Sequence, residues 1–418
     1  MQDILTPEFR ETLVPRIKKT IEEAARFNST PGDGITRFPF TKEAVQVCDY
    51  LEQVMKDAGL ETGRDASGAV IGRIEGEVPR TILLESHYDT VLHGGAYDGM
   101  AGVVCGIEIA RIIKESGKKP YYSLEVMATN DEEGSRFSSG FFTSMVVCGK
   151  VTPEYCRSDR DKDGVSIAEA MEAAGLDPDK LPQEPRKDIA AVFEIHCEQG
   201  PVLEQKGIDL GIVEAITGTH RVQIDLIGRP DHAGTTPMDM RKDAMEAASR
   251  LVISVTDRAK ALGNAVTTVG RLSVEPCIVN IVAGKVSLWI DFRSTEKDKI
   301  LAMRKGIDSD LEGLKKTMGI DCVLTERMID WPVAMDEGLR ARLRKSCGAI
   351  GASHMDLPSG AGHDAQIFAE IAPAAMMFVP SIGGRSHCPE EKTDEVYMAM
   401  AVQAVCDTVM GINGDKCL

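Results

Sequence analysis

Residues 81–128 read TILLESHYDTVLHGGAYDGMAGVVCGIEIARIIKESGKKPYYSLEVMA and contain the succession of elements that decides the fold. An apolar strand at 81–86 leads into a glycine-rich loop, which is followed by an apolar helix at 99–114 and a second apolar strand at 122–128. The order strand, loop, helix, strand is typical of an α/β domain with a mainly parallel sheet. Polar residues that follow such strands lie at the edge where open α/β sheets bind ligands.

The segments on either side continue this pattern. A polar segment at 161–187 is predicted to be an excursion from the core, although 165–174 within it has helical spacing. Amphipathic helical spacing and short apolar runs predict the remaining elements of this part of the chain. They are helices at 7–28, 41–58 and 337–348, strands at 69–74, 190–196 and 374–379, and a C-terminal helix.

A different pattern occupies residues 215–330. It predicts strand, helix, two strands, helix and strand, which is the split βαβ order of a small sheet with one open face. We therefore predict an inserted α+β domain, flanked by the two parts (1–214 and 331–418) of one discontinuous catalytic domain. The predicted elements of the insertion are strands at 220–228, 266–274, 285–293 and 321–328 and helices at 243–262 and 297–318.

Composition limits the partners and the compartment. The 418-residue chain has 48 basic and 65 acidic side chains, and its net charge of −17 argues against nucleic acid as a partner. An anionic substrate then needs a local arginine. Eleven cysteines at irregular spacings argue against a disulfide framework or a structural zinc cluster. The polar N-terminus and the lack of a membrane-length apolar run predict a cytoplasmic protein without a membrane partner.

Side chains that can bind metals concentrate in short segments after predicted strands. His87 and Asp89 are two residues apart and point the same way in an extended chain, so the carboxylate can orient the imidazole. Asp98 follows among glycines, and its two oxygens can bridge two cations. Taken alone, Asp98 is equally well explained as a turn residue that caps the following helix.

Asp131, Glu132 and Glu133 come soon after the strand at 122–128. Three adjacent carboxylates repel one another unless cations or solvent compensate them. An isolated acidic triplet is usually a solvated loop, but this one follows a buried strand. One glutamate can bind a metal while its neighbour acts as the general base, and the spacing alone does not say which.

Two further histidines complete the cluster. His196 ends the strand at 190–196, and His387 lies in a polar loop after the last predicted strand. A single histidine is more often structural than functional, but three in such positions beside several carboxylates make a joint case. Nitrogen and oxygen ligands suit Zn²⁺, Mn²⁺, Co²⁺ or Ni²⁺. The adjacent Cys197 and Cys388 are interpreted as packing residues, with thiolate ligation as the alternative.

Seven motifs around these residues occur in a recognisable order, and nearly the whole chain takes part. In them the sequence resembles the dinuclear-metal M20 peptidase family, within its hydantoinase/carbamoylase branch of N-carbamoyl-L-amino acid hydrolases and allantoate amidohydrolases. The resemblance implies a mixed-sheet α/β/α metallopeptidase-like catalytic domain with an inserted ferredoxin-like lid and dimerisation domain. The motifs are Ser86-His-Tyr-Asp-Thr90, Gly94-Gly-Ala-Tyr-Asp-Gly99, Glu132-Glu-Gly-Ser-Arg-Phe137, Glu198-Gln-Gly-Pro201, His232-Ala-Gly-Thr-Thr-Pro-Met238, Gly360-Ala-Gly-His-Asp-Ala365 and Ser386-His387.

The resemblance assigns roles that the spacing left open. It implies two divalent ions per subunit, Zn²⁺ or else Mn²⁺, Co²⁺ or Ni²⁺, with Glu132 as the general base. Asp89 is then a catalytic residue that supports a ligand histidine, and Asp131 has a supporting or structural place. The implied ligands are His87 and His196 for one ion, Glu133 and His387 for the other, and Asp98 as the bridge between them.

The same resemblance implies substrate-binding residues. Asn280 and Arg293 have the thirteen-residue spacing of the branch's carboxylate-binding pair and lie at either end of a predicted hairpin arm. An arginine fork suits a carboxylate, although a surface position at a strand end also explains Arg293. His232 matches a histidine that polarises the scissile carbonyl from the lid, in some relatives across a dimer interface. Gln199 and His363 match pocket positions, where a scaffold hydrogen bond is an equal alternative.

The implied activity is hydrolysis of a linear amide or ureido C–N bond in a small carboxylate substrate, with release of ammonia and carbon dioxide. A dipeptidase or aminoacylase on the same scaffold is the first alternative. A non-enzymatic binding protein is the second, and the retained ligands and base argue against it. The resemblance also implies a homodimer through the inserted domain. One departure is Glu85, where the family often has glycine; this carboxylate either tunes the site or faces solvent.

Overall fold

The computed structural model describes residues 2–137 and 140–417. Its strands form a nine-stranded sheet and a separate four-stranded sheet. In chain order the strands are β1 (Glu61–Arg64), β2 (Val70–Ile74), β3 (Val78–His87), β4 (Tyr122–Thr129), β5 (Ile189–Cys197), β6 (Leu210–Ile216), β7 (Gly218–Ile227), β8 (Ala265–Glu275), β9 (Lys285–Ser294), β10 (Asp321–Asp330), β11 (Val333–Ala334), β12 (His354–Ser359) and β13 (Ala374–Val379).

The α-helices begin at capping side chains in several places. They are α1 (Pro7–Ala24), α2 (Lys42–Asp57), α3 (Met100–Glu115), α4 (Phe142–Val147), α5 (Pro153–Ser158), α6 (Ile167–Ala173), α7 (Val202–Lys206), α8 (Ala244–Leu262), α9 (Lys297–Met318), α10 (Glu337–Ala349), α11 (Asp364–Phe368) and α12 (Glu395–Asp415). Thr6 caps α1, and Ser166 with Glu169 forms a reciprocal capping box on α6.

The chain forms two compact units. The first unit contains the described residues up to Glu214 and those from Met335 onward, and the second unit is Ala215–Ala334. The nine-stranded sheet has the order β1-β2-β4-β3-β5-β13-β6-β11, with β12 beside β6. Its four central strands, β4, β3, β5 and β13, are parallel, whereas β2 and β6 join them antiparallel. The sheet is therefore mixed, with the parallel centre that the sequence predicts.

The central strands are buried along their length, which explains their continuous apolar sequences. Helices α1, α3 and α12 pack together beside this sheet. Helix α12 is long and apolar enough, by length and composition, to cross a membrane, but most of it is buried. The sequence analysis predicts no apolar run of membrane-spanning length. The apolar composition of α12 is explained by its packing in the core against α1, α3 and α10.

One prediction for the first unit needs correction, and one strand has no counterpart in the predictions. The segment 161–187 is not outside the hydrophobic interior, because α6 and Leu181 belong to a small core with Phe40, Phe137 and Phe142. Strand β6 was not predicted, and it extends the sheet beyond β13. The sequence of β6 shows no alternation of apolar and polar residues before Glu214. Periodicity therefore gives only weak evidence for a strand in this segment.

The second unit has the predicted element order, β7-α8-β8-β9-α9-β10. Its antiparallel sheet has the strand order β10-β7-β9-β8, and α8 and α9 cover one face with a shared apolar core. Burial alternates residue by residue along β7 and β9, because their other face is not covered by these helices. This is the ferredoxin-like arrangement of an α+β domain.

Candidate metal centre

The predicted metal-binding residues lie at the carboxyl ends of the four central strands. His87 is the last residue of β3, and His196 is the penultimate residue of β5. Glu132 and Glu133 follow the end of β4, and His387 follows β13. Since the strands are parallel, their carboxyl ends share one edge, and residues distant in sequence meet there.

Three donor atoms form a first group. The Nε2 atoms of His87 and His196 lie 3.3 Å apart. Oδ1 of Asp98 is 3.5 Å from Nε2 of His87 and 3.2 Å from Nε2 of His196. Metal–ligand bonds of about 2.1 Å at tetrahedral angles separate ligand atoms by roughly 3.4 Å, so the three atoms have the spacing of a cation site.

A second group shares the same aspartate. Oδ2 of Asp98 is 3.2 Å from Nε2 of His387, and this nitrogen is 3.4 Å from Oε1 of Glu133. Asp98 therefore presents one oxygen to each group. All five predicted ligands come together. The Asp98 side chain does not cap α3, because the first turn of this helix has no side-chain cap hydrogen bond.

The polar atoms of this cluster fit cations. Oδ1 of Asp98 and Oε1 of Glu133 are buried and accept no hydrogen bond within residues 2–137 and 140–417. Burial opposes charge on the His87 ring, but the carboxylates of Glu132, Asp98 and Asp89 raise its pKa well above the ordinary value. The nearby carboxylates of Asp98 and Glu133 raise the pKa of His387 to about 10. These rings sit in a field that favours positive charge.

Backbone carbonyls fix the orientation of both imidazoles in the first group. Nδ1 of His87 lies 3.1 Å from the carbonyl oxygen of Asp89, and Nδ1 of His196 lies 3.0 Å from that of Cys197. An Nδ1–H that donates to a carbonyl leaves Nε2 with its lone pair toward the cluster. Gly99 has φ +64°, and a Cβ there would lie 2.4 Å from Nδ1 of His87, so only glycine fits.

The side chain of Asp89 bonds to the backbone of Glu132 and Glu133, and not to the imidazole of His87 as predicted. Its Oδ1 is 3.7 Å from Nδ1 of His87, too far for a hydrogen bond. Its two oxygens accept backbone N–H groups of Glu132 and Glu133 at 3.1 and 3.2 Å. The expectation that this carboxylate orients the imidazole is corrected, because the Asp89 backbone carbonyl does so.

Glu132 lies beside the first group. Its Oε2 is 3.8 Å from Nε2 of His87, and its side chain is buried. Burial raises the pKa of Glu132 well above the ordinary value; the His87 ring opposes this, and the Glu133 carboxylate adds to it. Its position beside these groups and its raised pKa make Glu132 a candidate proton acceptor. Asp131 is buried at φ +57° and lies outside the groups of metal-competent atoms.

The two predicted pocket residues of the first unit differ in position. Nε2 of Gln199 donates to Oδ2 of Asp98 at 2.9 Å, and Gln199 lines a cleft of about 890 Å³ together with Ser386 and His387. His363 is buried, with its ring 4.5 Å from that of His196 and its Nε2 bonded to Oγ of Ser359 at 2.9 Å. Gln199 faces the cleft, whereas the ring of His363 packs edge-on against the ring of His196.

The remaining predicted substrate residues belong to the second unit. His232 and Asn280 are exposed and adjacent, since His232 pairs with Ile281 and the N–H of Ala233 donates to the Asn280 carbonyl. Arg293 is near the far end of β9, with its Nε 2.9 Å from Oδ1 of Asp291. Asn280 and Arg293 thus lie at opposite ends of the arm, as predicted, and not side by side.

Glu85 does not face solvent. It is 2% exposed, and neither of its carboxylate oxygens forms a hydrogen bond in the described ranges. Burial and the neighbouring carboxylates of Glu194 and Asp364 raise its pKa well above the ordinary value. The flanking cysteines carry free thiols: Cys197 is buried, and Cys388 accepts a hydrogen bond from Nε of Arg385 at 3.3 Å.

Sequence reasoning assigned no role to Glu391, whose carboxylate contacts the cluster. Its carboxylate bonds to the segments that carry Asp98 and His387. The sequence offers only an acidic residue four positions after a predicted ligand, which no spacing rule distinguishes from a surface glutamate.

Comparison with known proteins supplies relatives for this arrangement. Residues 83–411 match the family model described as peptidase family M20/M25/M40. The chain is 38% identical over 384 residues to the N-carbamoyl-L-amino-acid amidohydrolase of Paenarthrobacter aurescens, covering 91% of this chain and 93% of that protein. It is 36% identical to the allantoate amidohydrolase of Escherichia coli K12, covering 93% and 95%. The crystal structure of a hydantoinase/carbamoylase family amidase from Burkholderia multivorans superposes with a TM-score of 0.89 at 32% identity, covering 95% and 97%.

Proposed function

The chain belongs to peptidase family M20/M25/M40, and on this premise we propose that it is a metal-dependent amidohydrolase of small ureido acids. One observation carries the proposal: Asp98 presents one oxygen to each of two donor groups, and Glu132 lies beside them. In the substrate, a linear ureido or amide C–N bond is cleaved. The relatives named for N-carbamoyl-L-amino acids and allantoate support this class over dipeptides.

Two divalent ions fit the donor set. His87 and His196 would hold one ion and Glu133 and His387 the other, with Asp98 as a ligand available to both. The nitrogen and oxygen donors suit Zn²⁺, Mn²⁺, Co²⁺ or Ni²⁺. Free thiols at Cys197 and Cys388, close to these ligands, suit the reducing cytoplasm, which we propose as the location.

When bound, such ions lower the pKa of a water from about 15.7 to near 7 and polarise the carbonyl under attack. Glu132 accepts the proton of that water and returns it to the leaving nitrogen. Asp89 holds the backbone of Glu132 in place. For an N-carbamoyl amino acid, water and substrate give ammonia, carbon dioxide and the amino acid.

Gln199 is proposed to bind the substrate in the cleft, where its side-chain amide lies between the cluster and the open volume. Arg293 and Asn280 are proposed to bind the substrate carboxylate, and His232 the scissile carbonyl. The Arg293 fork would add local positive charge for a carboxylate in this acidic protein.

The placement of these residues supports a homodimer through the second unit. Strand β9 begins at Lys285 and rises about 3.4 Å per residue, so Arg293 lies roughly 25 Å from the end where Asn280 and His232 are. No small substrate spans that distance. If all three residues bind one substrate, Arg293 comes from one subunit and the adjacent pair Asn280 and His232 from the other.

The proposal is tested by a turnover screen. The metal-free protein is reconstituted separately with Mn²⁺, Zn²⁺, Co²⁺ and Ni²⁺ and offered N-carbamoyl-L-amino acids, N-carbamoyl-β-alanine, allantoate and ureidoglycolate. We expect metal-dependent ammonia release from at least one of them, and none from the matched Glu132→Gln variant. Cleavage of dipeptides or N-acyl amino acids without ammonia release would instead identify a dipeptidase or aminoacylase.

A further inference from the structure

Glu391 lies in the loop that follows β13, four residues after His387, and it is 5% exposed. Its Oε1 accepts two backbone N–H groups, from Tyr97 at 3.0 Å and from Asp98 at 2.9 Å. One carboxylate oxygen therefore fixes the backbone of the residue that presents an oxygen to each donor group.

The other oxygen holds the second segment. Oε2 of Glu391 accepts the hydroxyl of Ser386 at 2.7 Å and the backbone N–H of His387 at 3.3 Å. Oγ of Ser386 is also 3.0 Å from Oδ2 of Asp98. The side chain of Glu391 thus joins two segments that are almost 300 residues apart in sequence and that carry Asp98 and His387.

The surrounding backbone is packed closely against this carboxylate. A Cβ built on Gly95 would lie 2.2 Å from Oε1 of Glu391, so the loop before Asp98 leaves space for the glutamate only because residue 95 is glycine. Within the described part of the chain, Glu391 forms no hydrogen bond with His87 or His196. Its Oε2 reaches the His387 segment directly, and its Oε1 reaches the shared Asp98 only through the backbone.

We propose that Glu391 is a positioning residue that sets the separation of Asp98 Oδ2 and His387 Nε2, which is 3.2 Å, and so shapes the second cation site. The inference rests on the proposed two-ion function. Partners that orient metal ligands change metal affinity or activity by about 10–100-fold when removed. The distinguishing consequence is that the effect is selective for one site. Loss of Glu391 weakens binding of the ion at Glu133 and His387 far more than binding of the ion at His87 and His196.

Calorimetric titration of the metal-free full-length protein with Mn²⁺ measures this selectivity. We expect the wild type to bind two ions. In Glu391→Ala the affinity for the second ion should fall by about tenfold or more, and the affinity for the first should be nearly unchanged. Glu391→Gln keeps Oε1 as acceptor for Tyr97 and Asp98, and the Ser386 hydroxyl can accept from its amide, but the backbone N–H of His387 loses its acceptor. It should therefore recover part of the affinity. Glu390→Gln, a matched change of the exposed neighbour that pairs with Arg385, should behave as wild type.

A second background separates positioning from general damage. Glu133→Gln removes a ligand of the second ion, so adding Glu391→Ala to it should leave the affinity of the remaining ion unchanged. The visible spectrum of the Co²⁺-loaded protein provides a readout independent of activity: the band from the second Co²⁺ should change in Glu391→Ala and persist in Glu391→Gln.

The outcomes distinguish the two proposals. A wild type that binds fewer than two ions contradicts the proposed two-ion function itself. Two wild-type-like ions in Glu391→Ala would overturn only the inference about Glu391. Equal weakening of both ions, or further weakening in the Glu133→Gln background, would also overturn it, since Glu391 would then support the fold generally. If Glu391→Ala does not fold, the test uses Glu391→Gln in the wild-type and Glu133→Gln backgrounds. The expected result is then a smaller loss of affinity, confined to the second ion.

Discussion

The carboxylate of Asp89 accepts the backbone N–H of Glu132 at 3.1 Å, although the two residues lie on loops after different strands. The same carboxylate accepts the N–H of Glu133 at 3.2 Å, while the backbone carbonyl of Asp89 bonds to Nδ1 of His87. One residue thus positions a ligand through its main chain and the proposed base through its side chain. These two connections can be separated by substitution.

Replacing Asp89 by asparagine should lower kcat by about 10–100-fold while the protein keeps both ions. The amide has one acceptor oxygen for two N–H groups, so the Glu132–Glu133 loop shifts, but the backbone carbonyl still holds His87. Turnover and metal analysis of the same preparations measure this. Asp33→Asn, which changes an exposed carboxylate near His93, is the control and should alter neither quantity. Loss of metal in Asp89→Asn would show that the side chain acts mainly on the ligand.

The neighbouring glutamates should give opposite phenotypes. Glu132→Gln should reduce turnover by about 100-fold or more with both ions retained, because the glutamine cannot accept the proton of the attacking water. Glu133→Gln should lose the second ion, since Oε1 of Glu133 is 3.4 Å from Nε2 of His387 and the glutamine lacks the anionic ligand. Metal content and ammonia release distinguish them. Retained turnover in Glu132→Gln would remove it as the base.

The sequence predicts those parts of the fold and site that depend on local patterns. The parallel centre and the six elements of the second unit follow from periodicity. The five candidate ligands follow from the motifs that carry the resemblance to the M20 family, because spacing alone does not separate Glu132 from Glu133. The connections of Asp89 and Glu391 follow from neither, because each depends on which distant segments the fold brings together. Tyr97 and Glu391, for example, are bonded across 294 residues. The spacing of residues along the chain does not predict such a contact.

Complementation tests the proposed sharing of residues between subunits. Arg293→Ala and His232→Ala should each be nearly inactive alone. Mixed dimers should contain one site with both residues intact, so random reassociation should restore about a quarter of the wild-type activity per subunit. Ammonia release after co-refolding measures this. As a control, mixing His232→Ala with Asn280→Ala should restore nothing, because these residues are adjacent in one chain. No recovery with Arg293→Ala would place all three residues in one subunit's site.

An ion pair before β5, outside the cluster, makes stability depend on pH. The Arg186 guanidinium, bonded to Asp188 at 2.8 and 3.0 Å, lowers the pKa of that carboxyl to about 2, against the opposing effect of burial. A carboxyl with a lowered folded-state pKa adds stability above its unfolded pKa of about 3.9, and this stability is lost as the pH falls toward 2.

Asp188→Asn should therefore destabilise the protein at pH 7 and have little effect near pH 2. The full shift corresponds to about 2.5 kcal/mol, but Asp188 is 37% exposed, so solvent screening reduces the expected loss to about 1 kcal/mol. Urea midpoints at pH 7, 4 and 3 should show the difference between variant and wild type shrinking as the pH falls. Asp163→Asn, at an exposed loop position, should show no such trend. A deficit that stays constant with pH would mean that Asp188 acts through packing or the Thr81 hydrogen bond, not through its charge.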